Sequence, residues 1–404
     1  MGVKIIKTGE IIRRQGLFGY NAWPTVARTG KGELAAVWSG GRIKHLCPFG
    51  KVLLSRSRDD GDTWSAPQTV IDTPLDDRDG GIVVKGRQWL VTTFNNKVQD
   101  QRLWNSEAGI KDDIRKIISD RLDTITPQMQ DENYGSLISV SEDGGQTFAP
   151  PYKSPVTAPH GPVLLDDGRY LYVGRLFDEE YAPDGESDGI YAMQSDDGYN
   201  WSKLVKICGK SDENVGLYCE PHAVQLPGGD ILVGIRAHEK GKSDAAFTVY
   251  TSFSHDGGKT FSYPESLRFR GSPPHFCLLR DGRILLTYAR RDINKGIYAR
   301  ISGDGRQWSE EFLLSATSSS GDCGYPSSVI REDGSIITVY YQLLDGGIAD
   351  SIPVRFFGSC CKMLYRRRAF ARRFFIVKRS KQSKKPREKN LPVLLKKFFL
   401  CGTI

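Results

Sequence analysis

Six positions along this chain fall in one column. Counting back nine residues from a recurrent turn glycine gives Trp23, Pro159, Glu220, Pro273 and Tyr325, and a shorter copy puts Asp79 at the equivalent place. Asp79, Glu220 and Tyr325 are ionisable, and a mere scaffold has no reason to fill such a column with polar groups. His160, His222 and His275 occupy the adjacent columns, and Arg42, Arg175, Arg236, Arg290 and Arg291 lie where the following strands end. A carboxyl, a phenol or an imidazole can move a proton in a reaction. Arginine suits a planar carboxylate or sulfate, because its fork donates two parallel hydrogen bonds. The three histidines belong to different repeats, so no metal site is assigned to them.

These residues can meet only if the elements carrying them converge, and the repeats say how. One repeat is a turn: SRDDGDTW (57–64), SEDGGQTF (141–148), SDDGYNW (195–201), SHDGGKTF (254–261) and SGDGRQW (302–308). Its Asp can accept bonds from the amides of its own turn, its Gly supplies a positive φ, and its aromatic can tuck between strands. The motif is therefore structural, and none of its residues is a catalytic candidate. The second repeat precedes the first, as in CEPHAVQLPGGDILVGIR and SPPHFCLLRDGRILLTYAR: a strand, a turn at Gly, and a second, largely apolar strand. Its turn glycines, Gly32, Gly86, Gly168, Gly229, Gly282 and Gly334, are 54, 82, 61, 53 and 52 residues apart. Six copies of blade length predict an all-β, six-bladed β-propeller, whose innermost strands face one another across a central channel. The long second interval holds IKDDIRKIISDRLDTI, where Ile110, Ile114, Ile117, Ile118 and Leu122 recur at helical spacing before Pro127. One amphipathic helix inserted in or near blade 2 is expected there, capping the edge of the ring or walling a pocket.

Charge divides the chain in two. The 404 residues carry a formal +8, but residues 355–404 hold 16 Lys and Arg against the single acid Glu388, leaving 40 basic and 47 acidic residues in 1–354. The expectation is a mildly acidic propeller over 1–354 and a basic tail over 355–404, disordered or aberrant, with the last blade short of its usual strands. The tail has no recognisable nucleic-acid motif, so no nucleic-acid partner is expected. No apolar run is long enough for a signal peptide or a membrane span, so a cytoplasmic protein without membrane association is expected. The eight cysteines show neither CxxC pairs nor zinc spacing and read as free thiols.

The five turn motifs resemble the Asp-boxes, or BNR repeats, of the sialidase (neuraminidase) superfamily, over about residues 15–350. Two further matches are more specific. Sialidases carry a blade-4 Glu followed sixteen residues later by an Arg of a carboxylate-binding triad, and EPHAVQLPGGDILVGIR places Glu220 and Arg236 at that spacing. They also carry a nucleophilic Tyr nine residues before the turn Gly of the last blade, and GYPSSVIREDG places Tyr325 there. The resemblance implies a retaining glycoside hydrolase of the exo-α-sialidase type that removes a terminal acidic sugar without a cofactor. Tyr325 would be the nucleophile and Glu220 its base, since a phenol needs a neighbouring carboxylate to take its proton.

Departures from the family pattern set the other expectations. Ala22 stands where the first triad Arg would be, followed by Trp23. The loop that should carry the acid/base Asp, in WSGGRIKHLCPFGK, holds Arg42 and His45 and no carboxylate, so Asp79, Asp77 or His45 would substitute. Arg291 is the candidate third Arg, and the substrate side is assigned to Arg236, Arg291, Arg42, Arg78, His160, His222, His275 and Trp23. The histidines leave open a lyase or glycosidase of different sugar specificity, and Ala22 with the short last blade leaves open a non-catalytic carbohydrate-binding propeller.

Overall fold

A computed structural model describes residues 2–106, 110–177, 187–243, 246–292, 294–315, 318, 320–343 and 354–362. Six antiparallel sheets are arranged as blades. The four-stranded blades I, II, IV and V open with inner strands Tyr20–Gly30, Arg78–Lys85, Val215–Gln225 and Ser272–Leu278. In blade III the inner position is split between the short strands Val156–Thr157 and Val163–Leu164, which both pair with Tyr170–Leu176. The second strand of each blade is the most apolar, and Ile336–Tyr341 is buried along its whole length. It packs against neighbours on both faces, so it has no polar side to alternate with.

Blade VI joins the two ends of the propeller. Its inner strands Gly324–Ile330 and Ile336–Tyr341 are followed by Val354–Lys362, and the N-terminal strand Gly2–Ile12 pairs with that third strand as the outermost member. Glu10 lies opposite Arg355 in the register and forms a 2.8 Å ion pair with it. The blade therefore has four strands, and its third extends past the boundary at 354 that composition suggested. Charge content changes before the strand ends, because residues on the outer strands of a blade can be basic without leaving the sheet. The basic segment from 363 onward lies outside the described residues.

The Asp-box turns join the third and fourth strands of blades I to V. In the first, the Ser57 hydroxyl donates to Asp59 and accepts from Gly61 N, while Asp59 accepts from Thr63 N at 2.8 Å. The box aromatics pack at the seams: Trp64 with blade VI, Phe148 with blade I, Trp201 with blade II, Phe261 with blade III and Trp308 with blade IV. Each aromatic thus ties its blade to the one before it. Strand direction puts these turns at the end of the ring where the inner strands finish, opposite the end where they begin.

The insertion after blade II's second strand forms three short helices, Val98–Asn105, Asp112–Asp123 and Pro127–Asn133, where one was expected. Pro127 does not close the periodic helix but begins the next one, with the Thr126 hydroxyl accepting from Met129 N. Proline is suited to that first position because its missing N–H would have no partner there. Ile118, Leu122 and Ile125 bury against Leu75, on the segment leading out of blade I, and Ile43, in the loop after that blade's second strand.

Candidate functional site

In five of the six blades the inner strand breaks register at the column. The pairing skips between Ala22 and Thr25, Arg78 and Gly81, Cys219 and His222, Ser272 and His275, and Gly324 and Ser327. Trp23, Asp79, Glu220 and Tyr325, the non-proline members of the column, all have left-handed backbone, with φ of 54°, 49°, 47° and 50°. Such a conformation costs about 1–3 kcal/mol for a residue with a side chain. A bulge re-aims the side chain it carries, and here four of them are re-aimed at equivalent places in four blades.

The result is contact between residues remote in sequence. The Tyr325 hydroxyl donates to Glu220 Oε1 at 2.7 Å, and Arg236 Nη1 donates to Glu220 Oε2 at 2.6 Å. Arg236 Nη1 also lies 3.4 Å from the Tyr325 oxygen. Burial pushes the Glu220 carboxyl up, but the charge and hydrogen bond of Arg236, the Tyr325 hydroxyl and Arg291 outweigh it and hold the group below the ordinary value. Burial, then the charges of Glu220 and Asp79, drive the Tyr325 phenol well above its ordinary value. At rest the pair is therefore phenol and carboxylate, and the proton can pass to Glu220 only as a new bond forms at the tyrosine oxygen.

Two guanidiniums flank Tyr325. Arg236 lies 3.5 Å over the Phe247 ring, and Arg291 stands 5.4 Å from the Tyr325 ring centre. Arg291 Nε donates to the Cys323 carbonyl at 2.9 Å and Nη2 to the Tyr341 hydroxyl at 3.3 Å. Among the described residues none bonds Arg236 Nη2 or Arg291 Nη1, so each arginine keeps donors for an anion. Gly324 makes the close approach to this strand: a Cβ there would sit 2.6 Å from the Ala289 Cβ, at a φ of 125° that favours glycine.

A cavity of about 450 Å³ opens beside this group, lined by Asp79, Glu220 and Arg236, by the Arg175–Asp188 ion pair, and by Phe94, Leu176, Phe177 and Leu217. The Asp79 side chain makes no hydrogen bond among the described residues. Burial pushes its carboxyl up to about 7, with the Glu220 charge adding and Arg78, Arg42 and Arg236 opposing. A carboxyl with that value can both give and take a proton near neutrality.

The remaining candidates lie farther from the cavity. Arg42 is fully buried in an ion pair with Asp76 at 2.5 Å and is a structural cation, not a pocket one. Arg78 stacks on Trp23 at 4.2 Å and donates to the carbonyl and Nε2 of His45. Trp23 fills the blade I position with its ring edge-on to His45, Tyr325 and Tyr341. Asp77 is pushed up to about 7 by burial, but it bonds Thr73 and Asn95 and holds a turn. His45 faces Asp322 and Tyr20 beside this wall.

The three histidines do meet, with ring centres 4.2–5.7 Å apart, yet they line a different cavity that runs along the inner strands toward the Asp-box end. Two residues of bulged strand carry His222 and His275 past the column and a turn carries His160 past it, and Thr25, Ser327 and backbone amides of Phe276 and Ser328 bond them there. Tyr20, Tyr341, Asp322 and Phe247 were not foreseen. Tyr341 and Phe247 follow no repeat position that marks them, whereas Asp322 stands three residues before Tyr325 and could have been weighed with it. Among the described residues no cluster of His, Cys, Asp and Glu has metal-binding geometry.

A family model described as a BNR repeat-like domain matches residues 32–338. No curated protein matches the chain. Among solved structures, a protein of unknown function from Dyadobacter fermentans is similar with a TM-score of 0.69 at 22% identity, covering 89% of this chain and 99% of that one. A Trypanosoma rangeli sialidase in complex with 2,3-difluorosialic acid, described as a covalent intermediate, has a TM-score of 0.56 at 15% identity over 85% of this chain and 54% of its own. An intramolecular trans-sialidase from Ruminococcus gnavus, in complex with oseltamivir carboxylate, has a TM-score of 0.58 at 13% identity over 84% and 94%. At these identities the likeness is one of fold.

Proposed function

Because this chain belongs to the BNR repeat-like domain family and carries the site just described, we propose that it is a retaining glycoside hydrolase of the sialidase type, acting on a terminal acidic sugar. The observation that carries this reading is the Tyr325 hydroxyl held on the Glu220 carboxylate at 2.7 Å, with Arg236 on the other carboxylate oxygen. Nothing in a scaffold requires a buried phenol to rest on a carboxylate that lines a cavity at a strained point of its strand.

The sugar carboxylate is held by the unused donors of Arg236 and Arg291. Tyr325 attacks the anomeric carbon while its proton passes to Glu220, and Asp79 protonates the departing glycosidic oxygen. The anionic Asp79 left behind then takes a proton from a water that cleaves the glycosyl–tyrosine bond, and Glu220 returns its proton to Tyr325. A phenol suits this step because a carboxylate nucleophile would repel an anionic sugar. Arg236 and Arg291 flank Tyr325 against the single carboxylate of Glu220, so with Asp79 protonated this group carries one surplus positive charge, which a monoanionic sugar would balance. The lyase alternative would take its base from the three histidines, which are buried, bonded to Thr25, Ser327 and backbone amides, and line another cavity.

The test is hydrolysis of a fluorogenic sialoside together with mass spectrometry of protein treated with 2,3-difluorosialic acid. Turnover and an adduct on Tyr325 are expected. Binding of acidic sugars without turnover or adduct would leave the non-catalytic alternative standing in its place.

A further inference from the structure

The seam between the first and last blades holds a second polar group. The Asp322 carboxylate accepts from the Tyr20 hydroxyl at 2.6 Å and from the Tyr341 hydroxyl at 2.7 Å, each on its own oxygen. His45 Nδ1 lies 3.2 Å from both oxygens. Arg78 donates to His45 Nε2 at 3.2 Å, so the ring proton is on Nδ1, between the Tyr20 oxygen at 2.9 Å and the Asp322 carboxylate. Tyr341, having given its proton to Asp322, presents its lone pairs to Arg291 Nη2 at 3.3 Å. The neighbouring Cys323 carbonyl takes Arg291 Nε. One short segment, residues 322–325, thus carries Tyr325 and also anchors two of the three nitrogens of the guanidinium beside it.

We propose that Asp322 is the positioning residue of this site: acting through Tyr341, it fixes the plane of Arg291 so that Nη1 faces the substrate carboxylate. The role as a clamp rests on the function proposed above, whereas the linkage from Asp322 to Arg291 stands on the geometry alone. The reason a carboxylate is needed is donor arithmetic. Tyr20, Tyr341 and His45 all donate, and an ionised carboxylate is acceptor-only on both oxygens. An asparagine would present its NH₂ to one of the tyrosines, whose hydroxyl must then turn. In the seam, Tyr20, Trp23, Tyr325 and Tyr341 pack as one cluster. Closure of the ring and orientation of the clamp are therefore the same event, since Tyr20, Trp23 and His45 come from blade I and Asp322, Tyr325 and Tyr341 from blade VI.

The experiment compares the full chain with Asp322→Asn, Tyr341→Phe and the double variant, using two readouts. In ¹H–¹⁵N spectra, the Arg291 Nε–H resonance, identified by its loss in Arg291→Lys, is expected to shift or broaden in both single variants. With a fluorogenic sialoside, each single variant is expected to raise KM about tenfold with a smaller change in kcat, and the double variant to be no worse than the poorer single one, as for residues acting in series. An unmoved Arg291 resonance in both variants overturns the proposal, as do additive losses confined to kcat. A wild-type chain that neither hydrolyses the sialoside nor binds 2,3-didehydro-2-deoxy sialic acid removes the glycosidase reading and with it the clamp role. The Arg291 resonance then still decides whether Asp322 orients that side chain.

Discussion

Tyr325 and Glu220, 105 residues apart in the chain, share a 2.7 Å hydrogen bond that exists only because two blades of the ring each bulge at the same place. Both residues have backbone that a side chain disfavours; Tyr325 is buried and Glu220 half-buried at the cavity wall. The arrangement ties the order of the propeller to the chemistry of one proton.

Removal of either partner separates chemistry from stability. Tyr325→Phe is expected to lower kcat by about 10³-fold or more, as loss of a nucleophile does, with little change in melting temperature, because Glu220 keeps Arg236. Glu220→Gln is expected to abolish turnover and also to cost about 1–3 kcal/mol of stability, since it leaves the Arg236 charge with only a neutral acceptor. Steady-state kinetics and urea unfolding of both variants check this.

The pH profile should carry the signature of Asp79. The proposed acid must be protonated, and its carboxyl is pushed up to about 7, so kcat/KM is expected to fall tenfold per pH unit above about 7. The acidic limb belongs to Glu220, whose value is lowered, so it lies below the ordinary carboxylate range. Asp79→Asn should remove the alkaline limb along with most of the activity toward substrates with poor leaving groups. Activity toward a nitrophenyl or umbelliferyl leaving group should survive better, because such a group departs without a proton.

Stability should decline in acid for a reason unrelated to catalysis. Burial holds His160 down to about 3 and places His222 and His275 well below the ordinary histidine value. The unfolded chain takes up protons on these rings below about 6.5 while the folded one does not, so each contributes a loss of about 1.4 kcal/mol per pH unit as pH falls. Asp77 and Asp79, raised to about 7, act in the opposite sense between their unfolded and folded values and offset two of the three. His45, lowered by the same cause, adds to the trend, so the net expectation is a stability that declines as pH falls from about 6.5 to 4. In His160→Gln that slope should become shallower, which denaturant titrations at several pH values would reveal.

The clamp predicts a preference for charge. Arg236→Lys and Arg291→Lys are each expected to raise KM for an acidic sugar by about 10- to 100-fold, since a lysine cannot reproduce the fork. The methyl ester of the same sugar should distinguish wild type from the variants far less. Equal losses on acid and ester would assign the arginines to holding Tyr325 alone.

Much of this molecule was legible in one dimension. The Asp-box turns and the glycine-anchored strand pairs recur because every blade must solve the same local problem, a hairpin with one position at positive φ and one aromatic for the seam. Local chemistry therefore repeats along the chain and can be counted. The column containing Trp23, Asp79, Glu220 and Tyr325 was legible for the same reason, as a fixed offset from a turn. The helical insertion was legible in part: the periodicity of Ile114, Ile118 and Leu122 marked its buried face, but Pro127 reads equally as an end or a beginning, and only packing against Leu75 and Ile43 decides.

What the chain's order could not state is how the six copies close. That Val354–Lys362 continues the last blade depends on pairing with Gly2–Ile12, 350 residues away, and composition is blind to such a partner. That Arg42 is locked on Asp76 while Arg291 keeps a free edge depends on neighbours contributed by other blades. The histidines show the same division. Sequence alone placed them in adjacent columns, but a residue or two of bulged strand or turn carries their rings past the column and out of the cavity that holds Glu220. The sequence by itself determined the repeating unit, the number of blades and the ionisable column, because each is set by contacts within a few tens of residues. Which side chains of that column share a proton, a charge or a cavity was decided by ring closure, because those contacts form only between elements that the tertiary structure brings together.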